Sequence, residues 1–169
     1  MPRVGDGDVP PLRTDGVVTQ GVEHVVKIAA SPGDVWRALT TPALMAAWMG
    51  EPEMQLEIDV DWRVGAAVEV RGVHHVAFRN TGTVLRVEPG RALAYTHLSS
   101  LSRLPDTPDN HTEIAFDLAA AGEGTSLTLT LNRFPTESIA RHLDFYWRTT
   151  LGILKQALER DVSVPVPVR

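Results

Sequence analysis

Tyr95 and His97 are the side chains of this sequence best placed to do chemistry together. They stand two residues apart in an extended-looking run, Arg91 to Leu98, so their side chains share one face of a strand. A phenol and an imidazole on an apolar wall could polarise a carbonyl, one as acid and the other as base. The plainer alternative is a core tyrosine with a histidine at the strand end, hydrogen-bonded or wet. Other chemistry-bearing residues are dispersed. His24 shares its face with Val26 and Ile28 but sits near the start of its strand, where a rim or surface histidine is expected. His74 and His75 are adjacent in an expected turn, and neighbouring strand residues point to opposite faces, which makes chelation by the pair poor. His142 and Tyr146 are four apart on a helix and could face a cavity mouth; a solvated His142 is the plainer reading.

Several chemistries have no support. The chain has no cysteine, which excludes disulfides, thiolate catalysis and cysteine metal sites. Asp6, Asp8 and Asp15 lack the further oxygen ligands and closing glutamate of a calcium loop. No Ser–His–Asp order, phosphate loop, carboxylate dyad or glycine-rich nucleotide motif stands out, and Gly122–Glu123–Gly124 reads as a hairpin turn. Neither a metal nor a cofactor is expected.

The elements that must position these residues follow from patterning. A chain of 169 residues, 43% hydrophobic and 22% charged, fits one globular domain. Its net charge of −5 argues against a nucleic-acid partner. There is no apolar run of roughly eighteen residues to span a membrane, and no apolar core of signal-peptide type near the N-terminus, so a cytoplasmic location is expected. Residues 1–20, rich in Pro and Gly, are expected to be a flexible tail. Residues 21–160 form the expected domain, and 161–169, where Val alternates with Pro, an extended tail.

Within the domain, Gly21 to Ala30 alternates as a half-buried first strand. Ser31-Pro32 and Thr41-Pro42 each open a short amphipathic helix, the Ser or Thr as cap and the Pro at the first position. Met54 to Asp61, Ala66 to Val73, His75 to Glu88 and Arg91 to Leu98 read as strands. Ser99 to Asn110 is the one long internal loop, and His111 to Ala119 and Thr125 to Asn132 form a last hairpin. Thr136 then caps a helix to Arg160. Its apolar residues, Ile139, Leu143, Trp147, Leu151, Leu154 and Leu158, recur at three- and four-residue spacings along roughly 35 Å. The order predicts an α+β fold: an antiparallel sheet of six to seven strands packed on one long C-terminal helix, with two short helices after the first strand.

Specific runs resemble a known family. Ala30 to Trp48 (ASPGDVWRALTTPALMAAW) is similar to the opening signature of the START-like, or SRPBCC, superfamily. The likeness is to the branch related to the C-terminal domain of the 90-kilodalton heat-shock-protein ATPase activator. Gly82 to Pro89 followed by Leu93 to Thr96 resembles that branch's second signature, and Trp147, Leu151, Leu154 and Lys155 the end of its last helix. The resemblance spans Val22 to Glu159. It implies a helix-grip fold, with a curved sheet around the long helix and a cavity between them. It also implies lipid, sterol or polyketide binding, or cyclisation and dehydration, in that cavity.

The cavity wall would then comprise Val26, Ile28, Val68, Val70, Tyr95, His97, Phe116, Leu129, Leu143, Tyr146 and Thr150, a mostly apolar set suited to a hydrophobic ligand. A one-residue register slip would exchange the strand faces. The later half of the helix is expected to be plain core and the earlier half to meet ligand. Three functions compete. The leading one is a binding module for a small lipid-, polyketide- or aromatic-like molecule. The second is a cofactor-free cyclase, dehydratase or hydrolase using Tyr95 and His97. The third is a chaperone ATPase co-regulator, weakened because only about 20 irregular residues precede the first strand, whereas the activator carries a substantial extra N-terminal domain. Monomer and homodimer are both open.

Overall fold

The structure, a computed structural model, describes residues 21–163. The expected N-terminal tail and residues 164–169 lie outside the described residues. Seven strands form one antiparallel sheet in the order β1-β7-β6-β5-β4-β3-β2. They are β1 (Val22–Ile28), β2 (Glu57–Val60), β3 (Ala67–His74), β4 (Val76–Glu88), β5 (Ala92–Ser99), β6 (Thr112–Ala121) and β7 (Gly124–Asn132). Helices α1 (Pro32–Thr40) and α2 (Pro42–Met49) follow β1, and α3 (Glu137–Ser163) closes the chain with 27 residues. This is the expected α+β helix-grip arrangement. It arises because every strand from β2 to β7 hairpins onto the next, and the chain's two termini of the sheet, β1 and β7, then pair with each other.

Local chemistry sets the element ends. The Ser31 hydroxyl accepts from the Asp34 amide at 3.1 Å, and Thr136 Oγ1 accepts from the Ile139 amide at 3.1 Å, so both act as side-chain caps. Thr41 does not: its side chain makes no capping bond. Its backbone amide instead donates to the Arg37 carbonyl, so one residue ends α1 and begins α2 with no room for a side-chain cap. Residues 52–54 form a 3-10 turn rather than the start of β2, because Gln55 takes a left-handed conformation, φ 49°. α3 also runs three residues past the expected end at Arg160.

The register fixes which side of each strand points inward. Ile114, Phe116 and Leu118 on β6 stand opposite Leu131, Leu129 and Leu127 on β7, and these opposite Val22, His24 and Val26 on β1. All six leucine, isoleucine and phenylalanine side chains of β6 and β7 are buried, against α3's Leu143, Trp147, Leu151 and Leu154. The core therefore sits between the concave face of the sheet and one stripe of α3, with α1 and α2 covering the remaining side through Val35, Leu39, Met45 and Trp48.

Candidate functional site

The eight strand residues expected to line a cavity lie on one concave face. Tyr95 stands between Val84 on β4 and Ile114 on β6, and His97 stands opposite Thr112. Val68 and Val70 continue the same face on β3, while Phe116 and Leu129 are opposite one another and Val26 and Ile28 extend it on β1. Alternation carries all eight because the pleat repeats every two residues. The one break in the ladder, a bulge between Val84 and Arg86, leaves Val84 and Val87 inward and exposes Leu85 instead.

From the other side α3 supplies Leu143, Tyr146 and Thr150. Leu143 and Thr150 are as buried as Leu151 and Leu154 further along, and Leu158 is half-buried. Tyr146 keeps part of its surface, and its hydroxyl donates to the Met49 carbonyl at 2.7 Å, tying α3 to the end of α2.

Between sheet and helix runs a continuous series of aromatic rings. Trp62 meets Tyr95 at 5.8 Å between centroids, Tyr95 meets Phe116 at 6.5 Å, and Phe116 meets Trp147 edge-on at 5.5 Å. Trp147 in turn touches Trp48 at 6.2 Å and Tyr146 at 5.3 Å. The two outer tryptophans are anchored by their indole N–H groups: Trp48 donates to the Ala38 carbonyl at 2.9 Å and Trp62 to the Thr40 carbonyl at 2.7 Å. These separations are those of favourable tilted and edge-to-face pairs.

Electrostatics single out three of the wall's polar residues. Burial pushes the Tyr95 phenol well above its ordinary value, with nearby Tyr146 adding to the effect. Burial also pulls His97 down to about 4, and the positive charges that His111 and His142 can carry push in the same direction. Tyr146 is raised to about 12 by burial. At neutral pH the wall thus holds phenol and imidazole in their uncharged forms. No side-chain hydrogen bond engages the Tyr95 hydroxyl or the His97 ring among the described residues.

Asn80, a residue the sequence reasoning missed, belongs to the same face. It stands opposite Val70 on β3 and Ser99 on β5, and its Oδ1 is fully enclosed with no hydrogen-bond partner. The available signal was its even spacing with Val84, two and four residues on through Gly82.

Of the other histidines, His24 shares the inward face of β1 opposite Leu129, and His74 and His75 lie away from it. His24 Nε2 sits 2.6 Å from Asp144 Oδ1, joining β1 to α3, and Arg148 holds the other carboxylate oxygen at 3.0 Å. His74 and His75 stack edge-on at 4.9 Å at the β3–β4 turn, where His75 has φ 63°. Among the described residues no group of three or more His, Asp or Glu side chains is placed to hold a metal ion.

Two open grooves lie on the surface. One, of about 510 Å³, is bounded by the end of β1, the β6–β7 turn and Lys155 and Glu159 of α3; of the expected wall residues only Ile28 reaches it. The second, about 370 Å³, lies on the convex side, where Thr81, Thr83 and Thr96 face Asp106, Pro108 and His111 of the long loop. There His111 Nε2 is 2.6 Å from Asp106 Oδ1.

A family model described as activator of Hsp90 ATPase homolog 1-like protein matches residues 29–159. The chain belongs to this family. Among solved structures, ChR145 from Cytophaga hutchinsonii is 28% identical with a TM-score of 0.72, covering 87% of this chain and 99% of that one. The Aha1 dimer from Colwellia psychrerythraea is 24% identical with a TM-score of 0.65, covering 83% and 96%. DynU16, a protein of the dynemicin biosynthetic locus, is 24% identical with a TM-score of 0.64, covering 82% of this chain and 47% of that one. No curated protein matches. These neighbours share the chain's fold. In this member α3 and the concave sheet face enclose the ring series, and no described helix is long and apolar enough to cross a membrane.

Proposed function

We propose that this protein binds a small, largely apolar, uncharged molecule between the concave sheet face and the first half of α3. The observation that carries the reading is the pairing of two facts about one wall. Its side chains are almost all apolar or aromatic, and two of its polar ones, the buried Tyr95 and the half-buried His97, are uncharged and make no side-chain hydrogen bond to the protein. An apolar wall with a few convergent polar groups is the common makeup of a small-molecule site. The family's fold and a neighbour from a biosynthetic locus support the same reading.

The same residues speak less for catalysis. A general acid or base works best with a pKa near the working pH. Here burial moves the phenol up and the imidazole down to about 4, each away from neutrality in the direction that weakens it for proton transfer.

Native mass spectrometry of protein purified from its own host tests the proposal. The expected result is a bound small molecule that organic solvent releases. A ligand-free protein, together with an unmoved Trp147 indole resonance across a panel of uncharged aromatic and aliphatic fragments, would refute it.

A further inference from the structure

We propose that Asn80 selects the ligand: its amide receives a hydrogen bond from an uncharged donor, a hydroxyl or amide N–H, on the buried end of the bound molecule. The inference rests on the ligand-binding reading above and names the chemistry of that site. Asn80 lies in the interior of β4, where asparagine is a poor strand former and contributes little packing. Its backbone is committed to the ladders with β3 and β5, so the side chain serves no turn or cap. Its neighbour Ser99 accepts from the Leu101 amide at 3.2 Å, and no hydroxyl or amide of the protein lies in hydrogen-bond geometry with Asn80 Oδ1. What remains is an enclosed Oδ1 with no partner, an arrangement that costs stability unless something outside the chain supplies a donor.

The surroundings say what kind of donor. Across the strands stand Val70 and Ser99, and His97 is two residues back along β5, on the same face. None of these carries a positive charge at neutral pH, His97 being held neutral by burial. The nearest arginine in sequence, Arg79, points to the opposite face, where it pairs with Glu69 at 2.8 Å. A carboxylate or phosphate brought to Asn80 would be desolvated with no lysine or arginine facing it on that side of β3 and β5. A neutral hydroxyl or amide would satisfy Oδ1 and could engage the free Tyr95 hydroxyl or His97 ring as well.

A matched probe series tests this on the intact chain: naphthalene, 2-naphthol, 2-methoxynaphthalene and 2-naphthoate, titrated against tryptophan fluorescence. 2-Naphthol should bind about three- to tenfold more tightly than naphthalene, the range of one net hydrogen bond. The methoxy compound, which cannot donate, should match naphthalene, and the naphthoate should bind weakest. The Asn80 side-chain amide resonances should move with 2-naphthol and not with naphthalene. Asn80→Leu should remove the preference for 2-naphthol while leaving naphthalene binding and thermal stability equal or higher. Naphthoate or methoxynaphthalene binding as tightly as 2-naphthol overturns the assignment, as does an undiminished preference in Asn80→Leu. Should that variant fail to fold, the wild-type series alone decides. Equal binding of all four probes overturns the role of Asn80 and leaves the ligand-binding reading standing, whereas binding of none overturns both.

Discussion

Replacing His97 should change the acid limb of the stability curve by an amount the structure sets. The ring's ordinary value of 6.5 falls to about 4 in the folded chain, first through burial and then through repulsion from His111 and His142. The unfolded chain therefore binds a proton at this residue that the folded chain refuses over the interval between those values. Stability from this source is complete above pH 6.5 and is lost as pH falls toward 4. Each pH unit of separation is worth about 1.4 kcal/mol, so the full interval amounts to about 3 kcal/mol, an upper figure because the ring keeps some surface in contact with water. By pH 4.5 about 2.5 kcal/mol of it should already be gone. The assay is urea unfolding, followed by tryptophan fluorescence, of wild type and His97→Leu at several values between pH 7.5 and 4.5. Groups that titrate alike in both proteins cancel in the difference, and the variant should gain on the wild type as pH falls. His142→Gln should return a fraction of the loss, since it removes one of the repelling charges. A difference that stays flat from pH 7.5 to 4.5 would refute the reasoning, because it would mean that His97 protonates freely in the folded protein and is not enclosed by the wall.

Leu154→Ala should cost about 2–5 kcal/mol in chemical denaturation, since Leu154 has no exposed surface and lies in the central cluster. Tyr146→Phe should cost only about 1 kcal/mol in the same measurement, through loss of the bond to the Met49 carbonyl while the ring contact with Trp147 persists. Gly82→Ala should destabilise by roughly 2 kcal/mol or more, or abolish soluble expression, because its Cβ would collide with the Thr96 carbonyl across the bulged β4–β5 ladder. Circular dichroism and soluble yield distinguish those outcomes.

The sequence made local features legible wherever one residue type answers one backbone demand. Ser31 and Thr136 cap as expected because a hydroxyl before a helix meets amides that lack partners. Gly122 turns the last hairpin with φ 59°. The concave face was legible as a set, since alternation binds Tyr95 to His97 and Val68 to Val70 whichever way they point. The residues that escaped depend on contacts across the chain. Thr41 looked like a cap but serves two helices at once. Leu98 would have been assigned to solvent by its alternation with His97, yet it is 6% exposed. The bond from Tyr146 to Met49 spans 97 positions and leaves no local trace. Asn80 is easily passed over for a related reason: a polar residue in a strand is assigned to the solvent side by default, and although its spacing from Val84 sets it on the inward side, the pairing with Val70 and Ser99 is what fixes it there.

The ring series also constrains how any ligand must be accommodated. α3 is fastened toward its C-terminus, where Lys155 Nζ donates to the Lys27 carbonyl at 2.6 Å and Glu159 accepts from the Ala29 amide at 3.1 Å. Toward its N-terminus it is held by His24–Asp144 and by the Tyr146 hydroxyl. Between these fixings Phe116 and Trp147 meet directly, with Phe116 and Leu154 both fully buried, so that stretch has no slack to give without losing contacts of the core itself. Asn80 on β4 and His97 on β5 are only half-buried, and Tyr146 on α3 retains surface. If a molecule binds on that side as proposed, release of the Tyr146–Met49 bond would count against its contact energy. A ligand that reaches Asn80 regains a hydrogen bond in exchange for the one given up, whereas a purely apolar molecule of the same size does not, and that difference is what makes a polar end on the ligand worth selecting.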